Sequence, residues 1–108
     1  VRRWSPAWDP PPDETAAVKE AFRQPGCLEA ALGYYRAVSP RLPASIRPKI
    51  GVPTVVFSGE HDGVLRLSDY EKARRRFTGS YEIVHMPGGH FMHREHPDAF
   101  AEKLLAHL

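Results

Sequence analysis

Apolar residues recur at helical spacing in the first third of the chain. Val18, Ala21 and Phe22 predict a helix over residues 13–23, which Pro25 and Gly26 end. A second apolar stripe predicts a helix over residues 27–38 that buries one face; its members are Leu28, Ala31, Leu32, Tyr35 and Val38. Proline-rich residues 1–12 predict irregular backbone, and the prolines of residues 39–48 predict a connector.

The apolar period changes after the connector. A β-branched run over residues 50–57 predicts a strand buried on both faces, and turn-forming residues fill positions 58–63. Further along, the pattern predicts a helix from Leu67 to Phe77, a strand at residues 81–86 and a loop at 87–96. A last helix begins at Pro97 and is predicted to bury a stripe of three residues, namely Phe100, Leu104 and Leu108.

A strand, a helix and a second strand in this order predict a parallel pair with a right-handed crossover. The fold class is therefore α/β. In open α/β sheets, functional loops follow the carboxyl ends of the strands. The polar-rich loops at residues 58–64 and 87–96 both follow strands, so we expect them to lie side by side at one edge of the sheet.

Composition and charge narrow the function classes. The formal net charge of +2 is too small to indicate nucleic acid or an anionic membrane as a partner. The lone Cys27 fits a reducing compartment, and the sequence shows neither a secretory signal nor a long apolar run, so we predict a cytoplasmic location. The first residue, Val1, predicts that the chain begins within a longer protein.

The two predicted loops carry the candidate chemistry. Asp62 follows the first strand and His90 follows the second. A carboxylate that accepts a hydrogen bond from one imidazole nitrogen fixes the tautomer and leaves the other nitrogen as a base. The alternative is that Asp62 is only a turn residue and His90 only a loop residue.

The two segments around these residues resemble those of a known family. GVPTVVFSGEHD at residues 51–62 resembles the strand and acid loop of α/β-hydrolases, and GHFMHREHPDAF at residues 89–100 resembles their histidine loop and terminal helix. The resemblance implies the C-terminal portion of a cap-bearing enzyme of the epoxide hydrolase or esterase branch. Residues 1–45 would form the C-terminal part of the helical cap. Residues 46–108 would form the C-terminal part of the catalytic domain, including its last two parallel strands.

The resemblance also implies roles for individual residues. His90 would be the general base, and Asp62 would orient it. Tyr35 stands directly before Arg36, where epoxide hydrolases carry a cap tyrosine that polarises the substrate oxygen, so Tyr35 or Tyr34 would face the substrate. The helical spacing of Tyr35 also fits an ordinary core position.

A nucleophile elbow is missing from the sequence. The window from Gly59 to Gly63 has His61 at its centre and belongs to the acid loop, and Ser58 also lacks the elbow context. We therefore expect the nucleophile upstream of Val1. The predicted function is cofactor-independent hydrolysis of small hydrophobic epoxides or carboxylic esters; the sequence does not choose between a serine and an aspartate nucleophile, and it does not predict the oligomeric state.

Two other classes of function remain open. The first is a non-catalytic α/β interaction module, because the chain lacks a nucleophile. The second is a metal-binding module, since His90, His93 and His96 repeat every three residues and His61 and His85 lie on the same part of the fold. The order HREH over residues 93–96 is not the H-E-x-x-H arrangement of metalloproteases, and we predict no metal site.

Overall fold

The computed structural model describes residues 1–38, 46 and 48–108. Most of the connector predicted at residues 39–48 lies outside the described residues. The chain divides into two compact units, one formed by Val1–Asp9 with Pro48–Leu108 and the other by Pro10–Arg47. The assignment of residues 1–45 to a cap and of residues 46–108 to a catalytic domain stays a prediction.

The unit Pro10–Arg47 contains two contacting helices, α1 (Ala16–Arg23) and α2 (Cys27–Ala37). Helix α1 begins three residues later than predicted, because residues 12–15 form turns after the prolines. Gly26 joins the helices with a φ of 79°, a left-handed conformation that glycine adopts without strain.

The predicted burial of the α2 apolar face is wrong for this chain. Leu28 and Leu32 are 42% and 43% exposed, and Tyr35 and Val38 are 67% and 64% exposed. The physical reason is size, since two helices of 8 and 11 residues cover little of each other's surface.

The other unit is built on two parallel strands, β1 (Thr54–Gly59) and β2 (Tyr81–Met86), which pair from Thr54 opposite Tyr81 to Gly59 opposite Met86. Helix α3 (Leu67–Ala73) and a 3-10 turn (Arg74–Arg76) make the crossover between them. The predicted α/β arrangement, with two parallel neighbours joined through a helix, is confirmed.

The first strand is displaced along the chain from its predicted position at residues 50–57. Ile50 makes only an isolated bridge with Phe77, and the continuous ladder begins after Pro53, which has no N–H to donate. At the other end, Ser58 and Gly59 are buried and paired with β2, so they belong to the strand and not to the predicted turn.

Two helices follow β2. Residues 92–95, predicted as loop, form the short helix α4 (Met92–Glu95), and α5 (Pro97–Leu105) begins at Pro97 as predicted. The predicted burial of Leu104 and Leu108 is wrong. Leu104 is 38% exposed, and α5 ends at Leu105, so Leu108 lies beyond the helical stripe and is 93% exposed.

A small core holds the loops of this unit in place. Met86 is fully buried at the end of β2, and Tyr81 and Met92 are nearly so. The Phe57 ring on β1 packs on Phe100 of α5 with ring centres 4.9 Å apart. The described residues contain no helix long and apolar enough to cross a membrane.

His107 ties the chain after α5 to the sheet in a way that depends on pH. Its Nδ1 lies 2.7 Å from the Lys103 carbonyl oxygen and its Nε2 lies 3.2 Å from Glu82 Oε1, so only the imidazolium can donate to both. The Lys103 carbonyl, followed by the Glu82 carboxylate, raises the pKa of His107 above its usual 6.5.

A raised folded-state pKa gives a stability contribution that is complete below pH 6.5 and is lost as the pH rises through the raised value. We therefore expect His107→Gln to lower the thermal midpoint at acidic pH and to have a smaller effect at alkaline pH, where the neutral ring donates only one hydrogen bond. Thermal unfolding of both proteins across this pH range measures the difference. A difference in thermal midpoint that stays constant with pH would contradict a stabilising contribution from the charged imidazole.

Candidate active site

Asp62 and His90 meet at the carboxyl ends of the two strands. Asp62 lies three residues after β1, and His90 lies four residues after β2. Asp62 Oδ2 is 2.9 Å from His90 Nδ1. The structure thus brings together the two residues that the sequence singled out, although their catalytic role stays a prediction.

The Asp62 carboxylate is fixed by its own loop. Its Oδ1 accepts hydrogen bonds from the backbone N–H groups of Val64 and Leu65, at 2.7 and 3.1 Å. The Tyr70 hydroxyl on α3 lies 3.4 Å from Oδ2, a long contact on the oxygen that faces His90. Nothing in the sequence marks Tyr70 as a site residue, because its place on an apolar helix face is typical of a core residue.

The two side chains differ sharply in exposure. The Asp62 side chain is 1% exposed, whereas the His90 side chain is 30% exposed. Burial by itself would raise the pKa of the Asp62 carboxyl, but the hydrogen bond from His90, the two backbone N–H groups and the His90 charge together lower it. The carboxylate is therefore ionised at neutral pH, and an ionised carboxylate can only accept hydrogen bonds.

This geometry fixes the tautomer of His90. Because the carboxylate accepts, Nδ1 must carry the donated proton, and in the neutral ring Nε2 is then a free base. A partly exposed imidazole whose basic nitrogen faces away from a buried carboxylate can take a proton from a hydroxyl group or a water molecule.

Glycines let the two loops approach this closely. A Cβ atom on Gly59, at the end of β1, would overlap the carbonyl oxygen of Gly89. The backbone N–H of His61 donates to the Gly88 carbonyl at 2.9 Å, and Glu95 Oε1 accepts the N–H of Gly89 at 2.8 Å. Gly88 has a φ of 96°, which turns the chain out of β2 toward His90.

The N-terminal segment also reaches this site. The Trp4 carbonyl oxygen accepts the N–H groups of Gly63 and His90, and Ser5 Oγ accepts the N–H of Phe91. From the sequence, this segment was predicted only as irregular backbone within the cap region of residues 1–45, since a backbone acceptor leaves no mark in the residue types.

The two tyrosines predicted to face the substrate lie on α2, in the other unit. Tyr34 is 72% exposed and Tyr35 is 67% exposed, and their rings pack edge to face with centres 5.5 Å apart. Their exposure leaves both hydroxyl groups accessible. A role for either in binding substrate stays a prediction.

The histidine-rich loop does not gather metal ligands in the part of the chain that the structure describes. No group of three or more His, Cys, Asp or Glu side chains there is arranged to hold a metal ion. His93 instead lies with its ring 5.9 Å from that of Phe100. The metal-binding alternative therefore gains no support from the described residues.

Comparison with known proteins points to hydrolases. The chain is 33% identical over 99 residues to epoxide hydrolase 3 of Mus musculus, an alignment that covers 90% of this chain. It spans only 27% of the length of that relative. No protein-family model and no solved structure matches the chain. The alignment with epoxide hydrolase 3 supports a relationship to a hydrolase for this stretch of sequence.

Proposed function

We propose that this chain supplies the acid and the histidine of a nucleophile–histidine–acid triad in an α/β-hydrolase that opens epoxides. The observation that carries the proposal is the 2.9 Å contact between the buried Asp62 carboxylate and the partly exposed His90 imidazole. In this proposal the nucleophile comes from a part of the protein that precedes Val1.

The proposed reaction has two steps, in both of which His90 and Asp62 keep their places. A carboxylate nucleophile attacks an epoxide carbon, the ring C–O bond breaks, and the alkoxide oxygen takes up a proton to give an ester. His90 Nε2 then removes a proton from water as the water oxygen attacks the ester carbonyl. The Asp62 charge stabilises the imidazolium that forms. Collapse of this adduct expels the diol as an alkoxide, which takes the proton from the His90 imidazolium. The freed carboxyl group then releases to solvent a proton that balances the one taken up in the first step, and the carboxylate is regenerated.

The similarity to epoxide hydrolase 3 favours an epoxide as substrate and hence an aspartate nucleophile. With a serine nucleophile, the same His90 and Asp62 would serve in a carboxylester hydrolase. We further propose that α1 and α2 belong to a lid, and that the exposed Tyr34 or Tyr35 hydroxyl polarises the oxygen of a small hydrophobic substrate.

A single turnover in water enriched in heavy oxygen tests this function. The full-length protein, in excess, is given an aryl epoxide such as styrene oxide, and protein and product are analysed by mass spectrometry. We expect the heavy oxygen in a protein carboxylate and not in the first diol formed, because water attacks the carbonyl carbon of the ester.

Other outcomes decide against the proposal in distinct ways. Heavy oxygen in the first diol would mean that water attacks the epoxide directly. Turnover of an activated ester such as p-nitrophenyl acetate, without turnover of the epoxide, would favour the serine enzyme. Failure to convert either substrate would refute the proposed hydrolase.

A further inference from the structure

The N-terminal segment Val1–Asp9 packs in the same unit as both loops of the site. The Trp4 carbonyl oxygen accepts two hydrogen bonds, from the N–H of Gly63 at 3.0 Å and from the N–H of His90 at 3.1 Å. Gly63 directly follows Asp62. One backbone oxygen therefore joins the loop of the acid to the loop of the base.

Ser5 holds the residues on either side of His90. Its side chain is fully buried, and its Oγ accepts the N–H of Phe91 at 3.0 Å. The backbone of Ser5 lies so close to Gly89 that a Cβ atom on that glycine would overlap it. The histidine loop is thus packed against this segment at three consecutive residues.

The Trp4 indole ring contacts the imidazole itself. It lies edge to face with the His90 ring, with centres 5.3 Å apart and an angle of 82°, and it stacks on Phe91 at 5.7 Å. Trp4 is 41% exposed, so it contributes little to the hydrophobic core. The aromatic contacts of its ring are with the histidine and the residue that follows it.

We propose that Val1–Asp9, the strap, is a positioning element for the acid–histidine pair and that Trp4 is its central residue. This proposal rests on the proposed function, because it assigns the strap a part in the same reaction. The carbonyl sets the spacing of the two loops, and the indole limits rotation of the imidazole away from Asp62. Trp4 acts through His90, not on the substrate, so its loss should affect the chemical steps and leave substrate binding nearly unchanged.

Two substitutions loosen the strap by independent means. Trp4→Leu removes the aromatic ring that packs against His90, whereas Trp4→Phe keeps an aromatic ring at the same place. Gly63→Ala acts from the other side, since its Cβ would overlap the Arg3 carbonyl oxygen and push the strap away. The matched control is Gly51→Ala, whose Cβ would make only an ordinary contact of 3.6 Å with Thr78 Oγ1.

The expected result is a fall in kcat of about 10- to 100-fold for Trp4→Leu and Gly63→Ala in the full-length protein. Because only hydrolysis of the ester needs His90, KM should stay the same or fall with kcat, and it should not rise. Trp4→Phe should recover most of the loss, and Gly51→Ala should match the wild type. The second readout is the low-field proton resonance of the His90–Asp62 hydrogen bond, which should broaden or vanish in the two loosened variants only. Thermal midpoints identify any variant that has lost its fold.

The outcomes separate this proposal from the function on which it rests. If Trp4→Leu and Gly63→Ala are folded and keep both the wild-type kcat and the low-field resonance, the strap has no positioning role. A rise in KM with unchanged kcat would make Trp4 a substrate contact and would also overturn the proposal. If the protein turns over neither substrate, the proposed function fails, whereas the resonance still reports whether the strap holds the pair.

Discussion

Replacing His90 with alanine is expected to lower turnover by the full-length protein by about four to six orders of magnitude. His90 is the base in the proposed mechanism, and without Nε2 the attacking water would have no group to take its proton. If the nucleophile is an aspartate, the first step can still occur. The variant should then accumulate the covalent ester, which mass spectrometry of the quenched protein would detect as an added substrate mass.

A neighbouring histidine provides the control for this substitution. His61 lies on the acid loop with an exposed side chain, and its backbone N–H, which bonds to Gly88, is kept on substitution. His61→Ala should therefore retain wild-type turnover. Near-normal turnover in His90→Ala, or an equal loss in His61→Ala, would show that the base is misassigned.

The pairing of Asp62 with His90 could be predicted because it depends on regular features of the chain. A β-branched run and a second strand with a helix between them dictate a parallel pair, and parallel strands end at the same edge. The exact residue at which β1 begins did not affect the predicted place of Asp62. The ladder begins at Thr54 and not at residue 50, yet Asp62 still follows the end of β1.

Burial was harder to predict than secondary structure. The apolar stripe of α2 has the period of a buried face, but periodicity does not say what covers that face, and its four large members stay exposed in this chain. Leu108 continues the spacing of Phe100 and Leu104, but α5 ends three residues before it. Helix ends depend on local hydrogen bonds, which the spacing of apolar residues does not encode.

The contacts of the strap could not be predicted from local sequence patterns. Its main contact uses the Trp4 carbonyl, a group that almost any residue could supply, and its partners lie far along the sequence. Ser5 and Phe91 are 86 residues apart. Local pattern rules do not reach over such separations, and prolines at positions 6 and 10–12 indicated only irregular backbone.

Replacing Asp62 with asparagine is expected to lower turnover by about 10⁴-fold while leaving the fold intact. The two backbone N–H groups of Val64 and Leu65 bind Oδ1 and will select the amide oxygen of the new side chain. The amide nitrogen must then occupy the place of Oδ2 and donate to His90 Nδ1. This reverses the tautomer, so that Nε2 carries the proton and can no longer act as a base.

The matched control is Asp98→Asn, the same substitution at an exposed carboxylate in the first turn of α5. Its turnover should equal that of the wild type, with at most a small loss of thermal stability from the helix dipole. A wild-type kcat in Asp62→Asn would remove Asp62 from the catalytic machinery and would leave it as a turn residue.

The double variant tests whether the two residues act as one unit. If Asp62 works only by orienting His90 and stabilising its charged form, removing Asp62 causes no further loss of turnover once the imidazole is gone. The double variant Asp62→Asn, His90→Ala should then be no slower than His90→Ala alone. If the fold-losses in turnover of the two single variants instead multiply in the double variant, each residue contributes separately. Removal of the imidazole would then not have removed the effect of the carboxylate.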